Sequence, residues 1–195
     1  IRFALLSALS TQNDPPTKAS KPFSKDRDGF VIAEGAATLV LESLESAIAR
    51  GAKVLGILKG CGEKADHFHR TRSSPDGGPA IATIRAALED AGIDESGIGY
   101  INAHGTSTPE NDKMEYLSMS TVFGDKLANI PVSSNKSMIG HTLTGAGAVE
   151  AVFSIQTMLT GTLPPTINYQ NPDPAIVLDL EPNVKRDKQG AAVLS

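Results

Sequence analysis

The chain has 195 residues, 40% hydrophobic and 21% charged, enough for one domain with a sizeable core and too apolar for a disordered chain. A formal net charge of -4 gives no support for a nucleic-acid partner. One cysteine without a CxxC spacing argues against a disulfide framework or a zinc ribbon and fits a reducing, cytoplasmic setting. No apolar run is long enough to span a membrane, and no signal-peptide pattern appears.

The chain opens on Ile1 inside a helical pattern, which predicts a helix over 1–9. Pro15-Pro16 ends it, and a loop runs to Asp26-Arg27-Asp28-Gly29, an ion-paired or solvated turn. β-Branched residues predict strands at 30–32 and 36–41, with Gly35 marking a bulge or a close approach. A short helix over 44–49 closes on Arg50-Gly51, and 54–58 reads as the next strand. Cys61 follows with no base partner nearby in sequence, and reads as a small packed side chain at a strand end. His67 and His69 share one face of an extended stretch, but no further ligand is near enough in sequence to suggest a metal site.

A helix over 79–91 starts at Pro79 and ends before Gly92. A strand over 100–103 leads to His104. The next helix is predicted over 112–123, with Asp112 and Glu115 at capping-box spacing and Met114, Leu117 and Val122 as its apolar contacts. A strand at 130–133 feeds a Ser-rich loop carrying Lys136 and His141, five positions apart. That loop enters a helix over 146–159 that is apolar almost all round and is expected to be central and buried. Pro164-Pro165 breaks the chain, and 176–180 with 191–194 read as a final hairpin around Lys185-Arg186-Asp187-Lys188. A chain that begins without Met and stops on a strand reads as a piece of a longer protein, truncated at both ends.

Two His residues, each following a strand in an alternating α/β chain, make one candidate site, because ligands in such folds gather at the C-terminal ends of strands. A His near a helix N-terminus is biased toward neutral, and a neutral imidazole polarises a carbonyl without carrying charge. The hydroxyls after His104 offer hydrogen bonds to a polar ligand, and Gly105 leaves room for one to reach the backbone. A serine hydrolase is disfavoured, since there is no G-x-S-x-G elbow.

His104-Gly105-Thr106-Ser107-Thr108-Pro109 and Asn135-Lys136-Ser137-Met138-Ile139-Gly140-His141 resemble the two histidine motifs of the β-ketoacyl-acyl carrier protein synthases. Asp26-Arg27-Asp28-Gly29-Phe30-Val31 with Glu34-Gly35-Ala36, and Pro164-Pro165-Thr166-Ile167-Asn168, resemble two further stretches of that family. The paired histidines point to its elongating branch and the related polyketide ketosynthases. The initiating branch has Asn at the place of His141, and thiolases carry a second Cys.

The resemblance implies the C-terminal half of a thiolase-like α/β fold, with a mixed sheet, a central buried helix and covering helices. It implies decarboxylative Claisen condensation of a malonyl-carrier thioester with an enzyme-bound acyl group. His104 and His141 would stabilise the enolate, and Lys136 would anchor the loop with Glu150 as partner. Thr106 and Thr108 would hydrogen-bond the phosphopantetheine arm. Acyl carrier protein is the implied partner, a homodimer the implied assembly, and no metal or organic cofactor is implied. Ser7 stands where the family often has a carrier-docking Arg, which leaves that contact to other basic residues, such as Arg2, or to the missing half. The family nucleophile does not match Cys61. A non-catalytic chain-length or scaffold subunit of the same fold is the alternative.

Overall fold

The computed structural model describes residues 2–69, 72–180, 182–183, 185–187 and 192–195. Its strands are β1 (Ile98–Asn102), β2 (Pro131–Ser133), β3 (Thr162–Leu163), β4 (Asp179–Leu180), β5 (Arg186–Asp187) and β6 (Ala192–Leu194). The helices are α1 (Arg2–Leu5), α2 (Leu44–Ala49), α3 (Gly78–Ala91), α4 (Pro109–Phe123), α5 (Lys136–Ile139) and α6 (Ala146–Thr160).

Four strands form one parallel sheet in the order β4-β2-β1-β6. β1 and β2 lie at its centre, with Ile101 opposite Val132 and Asn102 opposite Ser133. All three residues of β2 are buried, as a strand covered on both faces requires. The core joins Ile101, Val132 and Leu180 of the sheet to Leu88 of α3 and to Met119 and Phe123 of α4. Parallel neighbours end on the same side, so the chain leaves β1 toward His104 beside the place where it leaves β2 toward Lys136.

The prediction for α2 holds in its full extent, with Gly51 at φ 69° after the basic Arg50. α3, β1, β2 and α6 also form within two residues of their predicted bounds, and other segments differ. The first helix is one turn, and Ser7 turns the chain at φ 53°. Residues 36–41 and 54–58 form no strand among the described residues, and 30–32 makes only the isolated bridges Leu9–Phe30 and Ile32–His141. A strand exists through its partner, and these β-prone segments find none here. Val40 is 85% exposed and Leu58 73%.

The expected hairpin is instead two parallel strands, β4 and β6, on opposite edges of the sheet. Ala191 and Lys188 of that prediction lie outside the described residues, and Arg186–Asp187 pairs antiparallel with β3. The main sheet is therefore wholly parallel and the antiparallel pairing is a separate two-stranded ribbon. α6 is also not enclosed all round. Its buried residues are Ala146, Glu150, Ser154 and Thr157, a mostly polar stripe, while Met158 and Leu159 are exposed.

Candidate active site

The rings of His104 and His141 meet edge to face, with centroids 5.2 Å apart and planes at 87°. Each is carried by a loop leaving a central strand. His141 is fixed from two sides. Its backbone N–H donates to Val31 O at 2.8 Å, its carbonyl accepts from Ala33 N at 3.0 Å, and its ring packs on Phe30 at 5.1 Å. Gly140 is obligatory at φ 73°, since a Cβ there would stand 2.9 Å from both Ala33 Cβ and Val31 O.

The tautomer of His141 follows from one contact. Leu143 N–H donates to His141 Nδ1 at 3.0 Å, so Nδ1 is an acceptor and a neutral ring carries its proton on Nε2. Burial and the nearby Lys136 charge hold His141 below the usual imidazole range. The helix terminus invoked from the sequence is not adjacent, because a 3-10 turn at Leu143–Gly145 separates His141 from α6. His104 is an exposed residue, yet the protein atoms packed around its ring, with Lys136 and His141, lower it to about 3. Both rings are therefore neutral near pH 7.

Lys136 is buried and ion-paired to Glu150 on α6. Burial pushes the Glu150 carboxyl up, and the Lys136 ammonium opposes that shift. Around this pair lies an amide network. Asn135 Nδ2 donates to Asn102 Oδ1 at 3.0 Å, and Asn102 Nδ2 donates to Glu150 O and Ser154 Oγ, both at 3.1 Å. β1, the loop after β2 and α6 are thus tied into one unit.

The loop after His104 is held by two side chains that read differently in sequence. α4 starts at Pro109, earlier than predicted, and its N-cap is Thr108, whose side chain accepts from Asn111 N. Asp112 and Glu115 are therefore not a capping box. Asp112 accepts from Phe23 N at 2.7 Å and Ser107 N at 3.2 Å. Glu115 accepts from His104 N at 2.7 Å and Gly105 N at 2.8 Å. Burial raises Asp112 to about 6 and Glu115 to about 7. The signal was legible as periodicity, since 112, 115, 119 and 122 share one helix face and Met119 and Val122 are core. Leu117, counted as apolar contact, is 37% exposed.

Thr106 and Thr108 lie beside His104 with their hydroxyls 2.8 Å apart. Gly105 serves the fold rather than a ligand's approach, since a Cβ there would stand 2.5 Å from Ser134 Cβ and 3.0 Å from the Phe23 ring. The Asp26-Arg27-Asp28 run is an ion-paired tie. Lys21 reaches Asp26 at 2.7 Å, and the buried Arg27 reaches Asp173 at 2.8 Å. The side chain of Arg2 lies outside the described residues.

Cys61 is exposed rather than packed, and its N–H donates to Asp90 on α3 at 2.9 Å. Among the described residues no three His, Cys, Asp or Glu side chains gather as metal ligands, and no helix is long and apolar enough to cross a membrane.

The family model described as "Beta-ketoacyl synthase, C-terminal domain" matches residues 55–170, and "Beta-ketoacyl synthase, N-terminal domain" matches residues 2–47. A 3-oxoacyl-[acyl-carrier-protein] synthase 2 of Synechocystis sp. is 49% identical over 94% of this chain and 44% of its own length. The protein of the same name in Coxiella burnetii is 46% identical over 99% of this chain and 47% of its own. A ketosynthase of type II polyketide synthesis, solved with its acyl-carrier protein and bound to a hexaketide, superposes with a TM-score of 0.93 at 41% identity. That match covers 96% of this chain and 46% of the solved one. The chain spans about half the length of the curated relatives it matches. With a family model covering more than half of its residues and thiolase-fold ketosynthases as its structural neighbours, the chain belongs to the β-ketoacyl synthase family.

Proposed function

We propose that this chain supplies the malonyl-activating half of a condensing enzyme, a 3-oxoacyl-[acyl-carrier-protein] synthase of fatty-acid or polyketide synthesis. The observation that carries the reading is the pair of imidazoles meeting at 5.2 Å, with the Nδ1 of His141 accepting from Leu143 so that a neutral ring presents an Nε2 proton. A malonyl thioester oxygen placed between two such N–H groups gains most from them when it becomes an enolate oxygen. The C–C bond to the carboxylate then breaks and carbon dioxide leaves. The electron pair remains as the enolate, which attacks the acyl thioester carbon and expels a thiolate.

That thiolate is supplied by a cysteine outside this chain, and Cys61 is not it. The pantetheine arm passes Thr106 and Thr108, the acyl carrier protein is the partner, and two copies of the whole protein form a dimer. The chemistry runs on side chains without a metal or organic cofactor. A reducing, cytoplasmic setting goes with a reaction that needs a free thiol. A scaffold subunit would have no use for a pre-set imidazole pair beside a buried Lys136, which favours the enzyme over that alternative.

His104→Ala and His141→Ala in the full-length protein should each slow malonyl-carrier decarboxylation about a hundredfold or more while sparing acylation of the cysteine. Either variant decarboxylating at the parental rate defeats the shared-oxyanion role. The 195-residue chain alone should form no condensation product.

A further inference from the structure

We propose that Asn111 is a positioning residue whose side-chain amide bridges Asp112 and Glu115 and favours the ionised form of each, the form that holds the His104 loop. The catalytic arm of this inference rests on the condensing reading above. Asn111 Nδ2 lies 3.2 Å from Asp112 Oδ1 and 3.3 Å from Glu115 Oε2. One amide nitrogen has two hydrogens and can donate one to each carboxylate. Without that bridge, two carboxylates three positions apart on a helix repel.

The loop hangs from these two groups. Of the four backbone N–H groups they accept, those of His104, Gly105 and Ser107 all come from it. The fourth, from Phe23, ties in the N-terminal loop. A protonated carboxyl has lost acceptor capacity and gained a donor that faces other donors. Protonation therefore loosens His104 itself, through its own N–H.

The surrounding charges leave the carboxylates as the groups that titrate there. Arg27 Nε is 3.6 Å from Asp112 Oδ2, and Lys136 on α5 acts on Glu115 through space. Both cations favour ionisation but do not overcome burial, which leaves Asp112 near 6 and Glu115 near 7. His104, at about 3, stays neutral throughout that range, and burial together with Lys136 also lowers His141. A loss of activity between about pH 7 and pH 6 that moves when Asn111 is changed belongs to the brace, because the Asn111 amide bonds the two carboxylates. Hydrogen bonds from Asn111 favour the ionised forms, so removing them moves that loss to higher pH.

The test is Asn111→Ala in the full-length protein, read as malonyl-carrier decarboxylation against pH. Its acid limb should move up by about half to one pH unit, so the ratio of the rate at pH 6.5 to that at pH 8.5 falls roughly three- to sixfold. Glu115→Gln cannot ionise at this position. In that background, Asn111→Ala should shift the limb less than it does in the parent. A second readout needs no activity. Hydrogen exchange of the 103–108 segment should lose protection on acidification, and lose it at higher pH in Asn111→Ala than in the parent. Superimposable profiles of parent and Asn111→Ala in either readout, or a parent without an acid limb between pH 6 and 7.5, overturn the inference. A full-length parent that never decarboxylates malonyl-carrier defeats the condensing reading instead, and the exchange measurement then decides the brace alone.

Discussion

Burial first and the Lys136 charge second lower both His104 and His141, and Lys136 is also the buried cation of the site. Buried with Glu150, it cannot be removed alone without leaving a carboxylate uncompensated. Lys136→Ala should lower unfolding stability by about 3–5 kcal/mol in denaturant titration of the full-length protein, and Lys136→Met with Glu150→Leu should recover most of it. Gly105 is the second sensitive residue. Its φ of 38° and the 2.5 Å approach of a Cβ to Ser134 make Gly105→Ala both strained and overpacked. A loss of about 1–3 kcal/mol in the same assay is expected, and a variant as stable as the parent would show that the loop re-forms freely.

α4 shows how an element can carry two duties. Its N-terminus is capped by Thr108, and its first two turns present Asp112 and Glu115 to the loop that precedes it. Thr108→Ala should cost about 1 kcal/mol, with Thr108→Ser restoring most of it, measured by thermal unfolding. If Ser fails to restore it, the methyl packing of Thr108 matters more than its hydroxyl. α6 inverts the usual helix logic. Its buried stripe is Ala146, Glu150, Ser154 and Thr157, because that face meets the amides and ammonium of the site rather than an oily core. The apolar run located the helix correctly, and the expectation that it is buried all round does not hold.

Across the whole molecule, apolar surface is distributed unevenly. Val40, Leu41, Ile48, Ile57 and Leu58 all stand exposed, on segments that form no strand among the described residues or on short α2. Exposed large apolar side chains grouped on one chain favour association. The 195-residue chain by itself should therefore bind a hydrophobic dye and self-associate at micromolar concentration, with Val40→Lys and Leu58→Lys reducing both. A monodisperse monomer in sedimentation that ignores the dye would contradict this.

Local chemistry in the sequence determined a good deal. Helix α2 was legible to its last residue from a basic turn followed by Gly51, and the two His motifs announced both the family and the residues that now face each other. Period and punctuation are properties of neighbouring residues, so they survive without a fold. Tertiary structure alone decided which extended runs became strands, because pairing needs a partner distant in sequence, and it placed β4 and β6 on opposite edges of one sheet. It also decided that Asp112, Glu115 and Asn111 serve the His104 loop. A carboxylate shows its acceptor duty only when the N–H groups of another segment are folded against it.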